Sequence, residues 1–138
     1  YINGSRTEQK GGAVLQNIRE LFANTKHNLI EIGWLNHDDF VAYIKEHIDI
    51  GLQVSFTETF NLVAADFVQS DIPIIVSEEV KFIDDNFKVN MTSVDDIVNK
   101  IKFVYYSKYY NNQYLNFIKL QEFMTTVKTA WKNFMKGK

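Results

Sequence analysis

The stretch from Ser55 to Ser77 constrains this chain more than any other. It opens on a polar loop around Glu58, continues as an apolar helix from about Phe60 to Gln69, and breaks at Ser70-Asp71. Pro73-Ile-Ile-Val76 follows, with no polar residue alternating. A run of that kind suits a parallel strand covered on both faces, since a strand with one wet face alternates. Asp49-Ile-Gly-Leu-Gln-Val54, just upstream, also reads as a strand. Strand, helix and strand in this order make a βαβ unit, which implies a mainly parallel sheet with right-handed crossovers.

The flanking segments repeat the alternation. Gly11-Gly12 opens an amphipathic helix with Val14, Leu15, Ile18, Leu21 and Phe22 at helical spacing. Asn28-Leu-Ile-Glu-Ile32 is short and β-prone, and Asn36 caps a helix carrying Asp38 and Asp39 in its first turn. Phe40, Val41, Ile44 and Ile48 form that helix's apolar face. A weak strand near Phe87-Lys-Val89 precedes a helix capped by Ser93, with Val94, Ile97, Val98, Ile101 and Val104 expected inward. A last helix from about Asn112 to Phe134 carries Leu115, Ile118, Phe123, Val127 and Trp131. The expected fold is therefore α/β, a Rossmann-like parallel sheet flanked by helices, over residues 1–106, with a long helical tail over 107–138. Ligands of such sheets bind beyond the carboxyl ends of the strands, where the 4–12 and 55–61 loops lie.

Composition narrows the function. No apolar run approaches the ~18 residues of a membrane span. The chain has no cysteine, which excludes disulfides and thiolate chemistry and fits a cytoplasmic protein. The net charge of −2 conceals a division. Residues 1–99 hold seven basic and sixteen acidic side chains, whereas residues 100–138 hold eight lysines and one acid, Glu122. A nucleic-acid binder would spread its cations over the fold, so nucleic acid is not expected. His27, His37 and His47 fall on separate elements, and no Asp-x-Asp pair occurs, so no metal site is expected.

Glu58 and Asp66 bracket the candidate site. On a continuous helix their spacing corresponds to a rise of about 12 Å and a turn of roughly 80°. Glycosidase carboxyl pairs sit about 5–9.5 Å apart, so shared acid–base work fits poorly. Two carboxylates gripping opposite ends of an elongated ligand fit better, with helix-start amides between them to attract a phosphate. The plainer reading makes Glu58 a favourable first-turn acid and Asp66 a solvent-facing break in an apolar helix. Asp is nevertheless a poor mid-helix residue.

Glu58-Thr-Phe-Asn-Leu-Val-Ala-Ala-Asp66, followed by Gln69-Ser-Asp-Ile-Pro-Ile-Ile-Val76, resembles the Glu-x7-Glu motif of the large group of GT-B glycosyltransferases that carries it. Ile32-Gly-Trp-Leu35 looks like that family's Leu-Gly-x-Val element, and Asp49-Ile-Gly-Leu like its Ala-Asp-Val strand. Arg6-Thr-Glu-Gln-Lys10-Gly11 is similar to its Arg-x4-Lys-Gly loop, one residue shorter. The resemblance spans residues 1 to about 106 and implies the carboxyl-terminal, donor-binding half of a GT-B fold. By that resemblance Arg6 and Lys10 neutralise the donor diphosphate, and Glu58 hydrogen-bonds the transferred hexosyl group as the catalytic-site acid. Amides of Phe60, Asn61 and Leu62 approach sugar and phosphate, and Asp66 holds the ribose. Cations suit a leaving diphosphate without a metal, because charge develops on that oxygen during transfer.

Three departures stand out: Thr59 and Asn61 occupy positions that are commonly glycine, and Asp66 replaces a glutamate. Asn is the least costly replacement if position 61 needs a positive φ. Tyr1-Ile-Asn-Gly reads as the end of a first strand, so the chain is expected to be a fragment of a longer protein whose amino-terminal acceptor domain lies upstream. The isolated half would then have little activity. For the lysine- and aromatic-rich tail, the readings are packing on that acceptor domain, a solvated helix, a homodimer contact, or peripheral attachment to an anionic membrane. The competing function is a non-catalytic α/β interaction module with a degenerate nucleotide-sugar site.

Overall fold

The computed structural model describes residues 1–3, 12–58, 60–106 and 113–137. Within them the chain is a mixed α/β structure comprising two compact units, residues 1–40 and 41–138. Arg6, Lys10 and Thr59 lie outside the described residues.

In the first unit β1 (Ile2–Asn3) pairs in parallel with β2 (Glu31–Ile32), Ile2 opposite Glu31. Helix α1 (Gly12–Ala23) connects them. Arg19 on α1 reaches Glu31 of β2 with two nitrogens, at 2.6 and 2.7 Å, a two-pronged hydrogen bond that ties helix to strand. Arg19 thereby holds the Glu31 carboxyl below its ordinary range. Leu21, expected inward, is exposed.

Helix α2 (His37–His47) begins where expected: Asn36 Oδ1 accepts the Asp39 amide at 3.0 Å. Beyond it lies the three-stranded parallel sheet of the second unit, in the order β3 (Gly51–Gln53), β4 (Ile74–Ser77), β5 (Lys88–Val89). Ile74, Ile75, Val76 and Ser77 of the central strand are all fully buried. The continuous apolar run thus occupies the central strand of this sheet, paired on both sides. Gly51 starts β3 opposite Ile74, and its amide donates to the Pro73 carbonyl at 2.8 Å. A Cβ at Gly51 would lie 2.6 Å from the Phe67 ring, so that glycine admits the close approach of helix to strand.

Helix α3 (Leu62–Gln69) buries Ala64, Ala65, Phe67 and Val68 and packs on β3 and β4. It ends in a Schellman-type turn: Ile72 N donates to Phe67 O and Asp71 N to Val68 O, with Asp71 at φ 57°. This turn delivers the chain directly into β4. A 3-10 turn at Asp85–Phe87 leads into β5, and α4 (Val94–Tyr106) follows, packed on β5. Val94 and Val98, expected inward, are exposed, while Val104 is buried. The expected apolar face spans more of the α4 circumference than the short β5 covers.

Helix α5 (Gln113–Met135) packs on α3. Its inward face is Gln113, Asn116 and Leu120, rather than Leu115, which is exposed, or Trp131, which is 59% exposed. Asn116 is admitted to its buried position by the neighbouring loop: the Asp84 amide donates to Asn116 Oδ1 at 2.7 Å. Gln113 Nε2 and Oε1 and Asn116 Nδ2 are buried with no hydrogen-bond partner among the described residues.

Candidate functional site

The loop between β3 and α3 leaves the carboxyl edge of the parallel sheet, and hydrogen bonds organise it. Ser77 ends β4, and its buried Oγ accepts the Ser55 amide at 3.4 Å. Gln53, the last residue of β3, sends Nε2 to Ser55 Oγ at 3.3 Å and to Glu58 Oε1 at 3.4 Å. Asn61 supplies the third tie, its Nδ2 donating to Glu58 Oε1 at 3.0 Å. The half-buried Glu58 carboxylate is therefore held from the strand on one side and from the helix start on the other.

Asn61 has two functions at once. Its Oδ1 accepts the Ala64 amide at 2.8 Å and its carbonyl accepts the Ala65 amide at 3.1 Å, which makes it the N-cap of α3. Its backbone is extended, φ −85° and ψ 97°. A positive φ at this position is thus not needed, and an asparagine fits on capping grounds instead. The cap also moves the helix start from Phe60 to Leu62, so Glu58 stands in the loop and not on the helix. The 12 Å helical rise therefore does not describe the separation of Glu58 and Asp66.

The structure places the remaining expected residues as follows. Leu62 and Val63 head the first turn of α3, where amides have no intrahelical acceptor and the helix dipole is positive. Both side chains are exposed. Asp66 lies one turn further, half-buried, on the helix face shared with Leu62. Phe60 points elsewhere: its half-buried ring lies against Phe82 and Phe123, with centroids 5.3 and 5.9 Å away. It anchors the loop on the neighbouring chain segments.

Sequence reasoning missed that anchor. Phe82 follows β4, Phe123 sits on α5, and the two rings are 5.8 Å apart, so three distant segments meet at the sheet's carboxyl edge. A second clamp holds α5 to the same loop. Asp84 accepts Lys119 Nζ at 2.7 Å and the Asn86 amide at 3.0 Å. Lys119 first, and the Asn86 amide next, hold the Asp84 carboxyl below its ordinary range. The only sequence signal was the spacing of Asn116, Lys119 and Phe123 on one side of the last helix.

Among the described residues, no three His, Asp or Glu side chains gather to hold a metal ion. No described helix is long and apolar enough to cross a membrane. Comparison with protein families, with curated proteins and with solved structures finds no match.

Proposed function

We propose that this chain is the donor-binding half of a metal-independent, GT-B-type glycosyltransferase, taking a nucleotide-sugar as substrate. The observation that carries the reading is the Glu58 carboxylate, fixed by Gln53 and Asn61 at the carboxyl edge of a parallel sheet, immediately before a capped helix start. A carboxylate held there accepts hydrogen bonds from sugar hydroxyls. The first-turn amides of Leu62 and Val63 take a phosphate oxygen, favoured by the helix dipole. Asp66, one turn along the same face, accepts the ribose hydroxyls. Arg6 and Lys10 supply the positive charge for the leaving diphosphate in this reading. The acceptor site and the rest of the catalytic machinery then belong to an amino-terminal domain of the same protein.

One observation favours a second reading, a non-catalytic module with a degenerate site. Glu58 Oε1 already accepts two intramolecular hydrogen bonds, which leaves fewer lone pairs for a sugar. Ligand-observed NMR with UDP, GDP, ADP and their hexose conjugates separates the two. The transferase reading expects millimolar or tighter binding of one nucleotide series, weakened by Asp66→Asn and by Arg6→Ala. It further expects Glu58→Gln to weaken the sugar conjugate more than the bare nucleotide. Absence of binding by any nucleotide to the folded chain would reject the donor-site reading.

A further inference from the structure

Helix α5 changes character halfway along. At 23 residues it is about 35 Å long, and its first half packs on α3 and on the Phe60, Phe82 and Asp84 segments through Asn116, Leu120 and Phe123. The same apolar stripe continues at three- and four-residue steps through Met124, Val127, Trp131, Phe134 and Met135. Val127 is half-buried, and from Lys128 to Gly137 every residue is exposed. Trp131, Phe134 and Met135 are 59%, 74% and 73% exposed, and the two rings stack edge to face at 5.8 Å. The stripe that is core in one half of the helix is bare in the other.

The chemistry flanking the bare stripe identifies its occupant. Lys128, Lys132 and Lys136 follow one another at four-residue steps, a single row beside the apolar side chains. Residues 123–138 contain four lysines and no acid. The face beyond the lysines is threonine-rich: the hydroxyls of Thr125, Thr126 and Thr129 each donate to the carbonyl four residues earlier, at 2.9 Å. A second copy seated on this stripe would bring no carboxylate to the lysine row, since the segment contains none. An anionic bilayer meets every feature: phosphates for the lysines, the headgroup boundary for tryptophan and phenylalanine, and no demand for a shaped groove.

We infer that the carboxyl-terminal half of α5 is a docking surface for an anionic lipid membrane, lying in the interface plane with Trp131, Phe134 and Met135 inserted and the lysine row at the headgroups. This surface is independent of the Glu58 site and stands or falls separately from the donor-binding reading.

The test uses the full chain with Trp34→Phe, which leaves Trp131 as its sole tryptophan. It is mixed with vesicles of phosphatidylcholine alone or with an equimolar share of phosphatidylglycerol. The expected result is co-sedimentation and a blue shift of Trp131 emission with the anionic vesicles only, both reversed by salt. Lys128, Lys132 and Lys136 changed together to Gln should weaken partitioning on the order of a hundredfold. Phe134→Ala with Met135→Ala should weaken it about tenfold or more. All these side chains are exposed, so the circular dichroism spectrum should stay that of the parent chain. No binding to the anionic vesicles, or binding unchanged in both variants, would overturn the inference. So would a lipid-free dimer on analytical ultracentrifugation that dissolves in the Phe134/Met135 variant, since the stripe would then belong to a second copy.

Discussion

Substituting Asn61 tests whether one side chain both starts helix α3 and holds Glu58. Asn61→Ala removes the acceptor of the Ala64 amide and the donor to Glu58. Loss of an N-cap costs about 1 kcal/mol, and up to about 2 in tight settings. The lost bond to a carboxylate adds roughly 1 kcal/mol, taken low because Glu58 is only half-buried. The expected destabilisation is about 2–3 kcal/mol by urea denaturation. Asn61→Asp separates the two contributions. It keeps the capping oxygen, and the helix dipole favours the new charge, but it sets a second carboxylate about 3 Å from Glu58, where Nδ2 now sits. Such a pair shares a proton, so the folded-state pKa of the pair rises above the unfolded value. A raised acid pKa stabilises the fold at low pH, and that stability is lost as pH rises from about 4 through the raised value. Asn61→Asp should therefore match the parent near pH 4 and fall behind it by pH 7. An Asn61→Ala variant within about 0.5 kcal/mol of the parent would refute the dual role. A pH-independent Asn61→Asp would refute the tether to Glu58 alone.

Gly51→Ala drives a methyl against the Phe67 ring at 2.6 Å and should destabilise by about 1–3 kcal/mol, with partial recovery in a Gly51→Ala, Phe67→Leu double variant followed by thermal melting. Asp71→Gly should raise stability by up to about 1 kcal/mol in the same melts, because φ 57° is natural to glycine and the turn's hydrogen bonds are backbone-only. Phe123→Ala should cost about 2–3 kcal/mol, below the full core value because the ring is half-buried, and tryptic digestion should then cleave within α5 sooner. Asp84 titrates below its ordinary range, so the stability from its bond to Lys119 is present above the unfolded pKa of about 4 and lost as pH falls through the lower folded value. Lys119→Met should flatten that acid limb in pH-dependent urea titrations.

Much of the local structure was legible in the residue pattern. The helices from Asn36, from Ser93 and near Asn112 start within a residue or two of expectation, because caps and 3.6-residue spacing act over one or two turns. Leu21 and Val94 show where that signal ends: spacing marks an apolar stripe, but its burial depends on how much surface a neighbour offers. The candidate site was half legible. Glu58 as a loop acid and Asn61 as a helix-start residue are local facts, and the Ser70-Asp71 break was plain. The hydrogen bond between Glu58 and Asn61, the reach of Gln53 and the extended φ at Asn61 required the loop's path.

By itself, the chain's sequence determined the alternation of helices and strands, the parallel central strand at Ile74–Ser77, and the charge division that sets an acidic body against a lysine-rich end. Those are properties of neighbours in the chain, set by backbone preference and periodicity. Tertiary structure decided which faces are covered. It seated Asn116 in the core while leaving Leu115 and Trp131 outside, because the Asp84 amide and the Phe60–Phe82 pair stand beside that side of α5. Burial is decided by partners far apart in sequence, and a polar side chain is admitted where such a partner meets it.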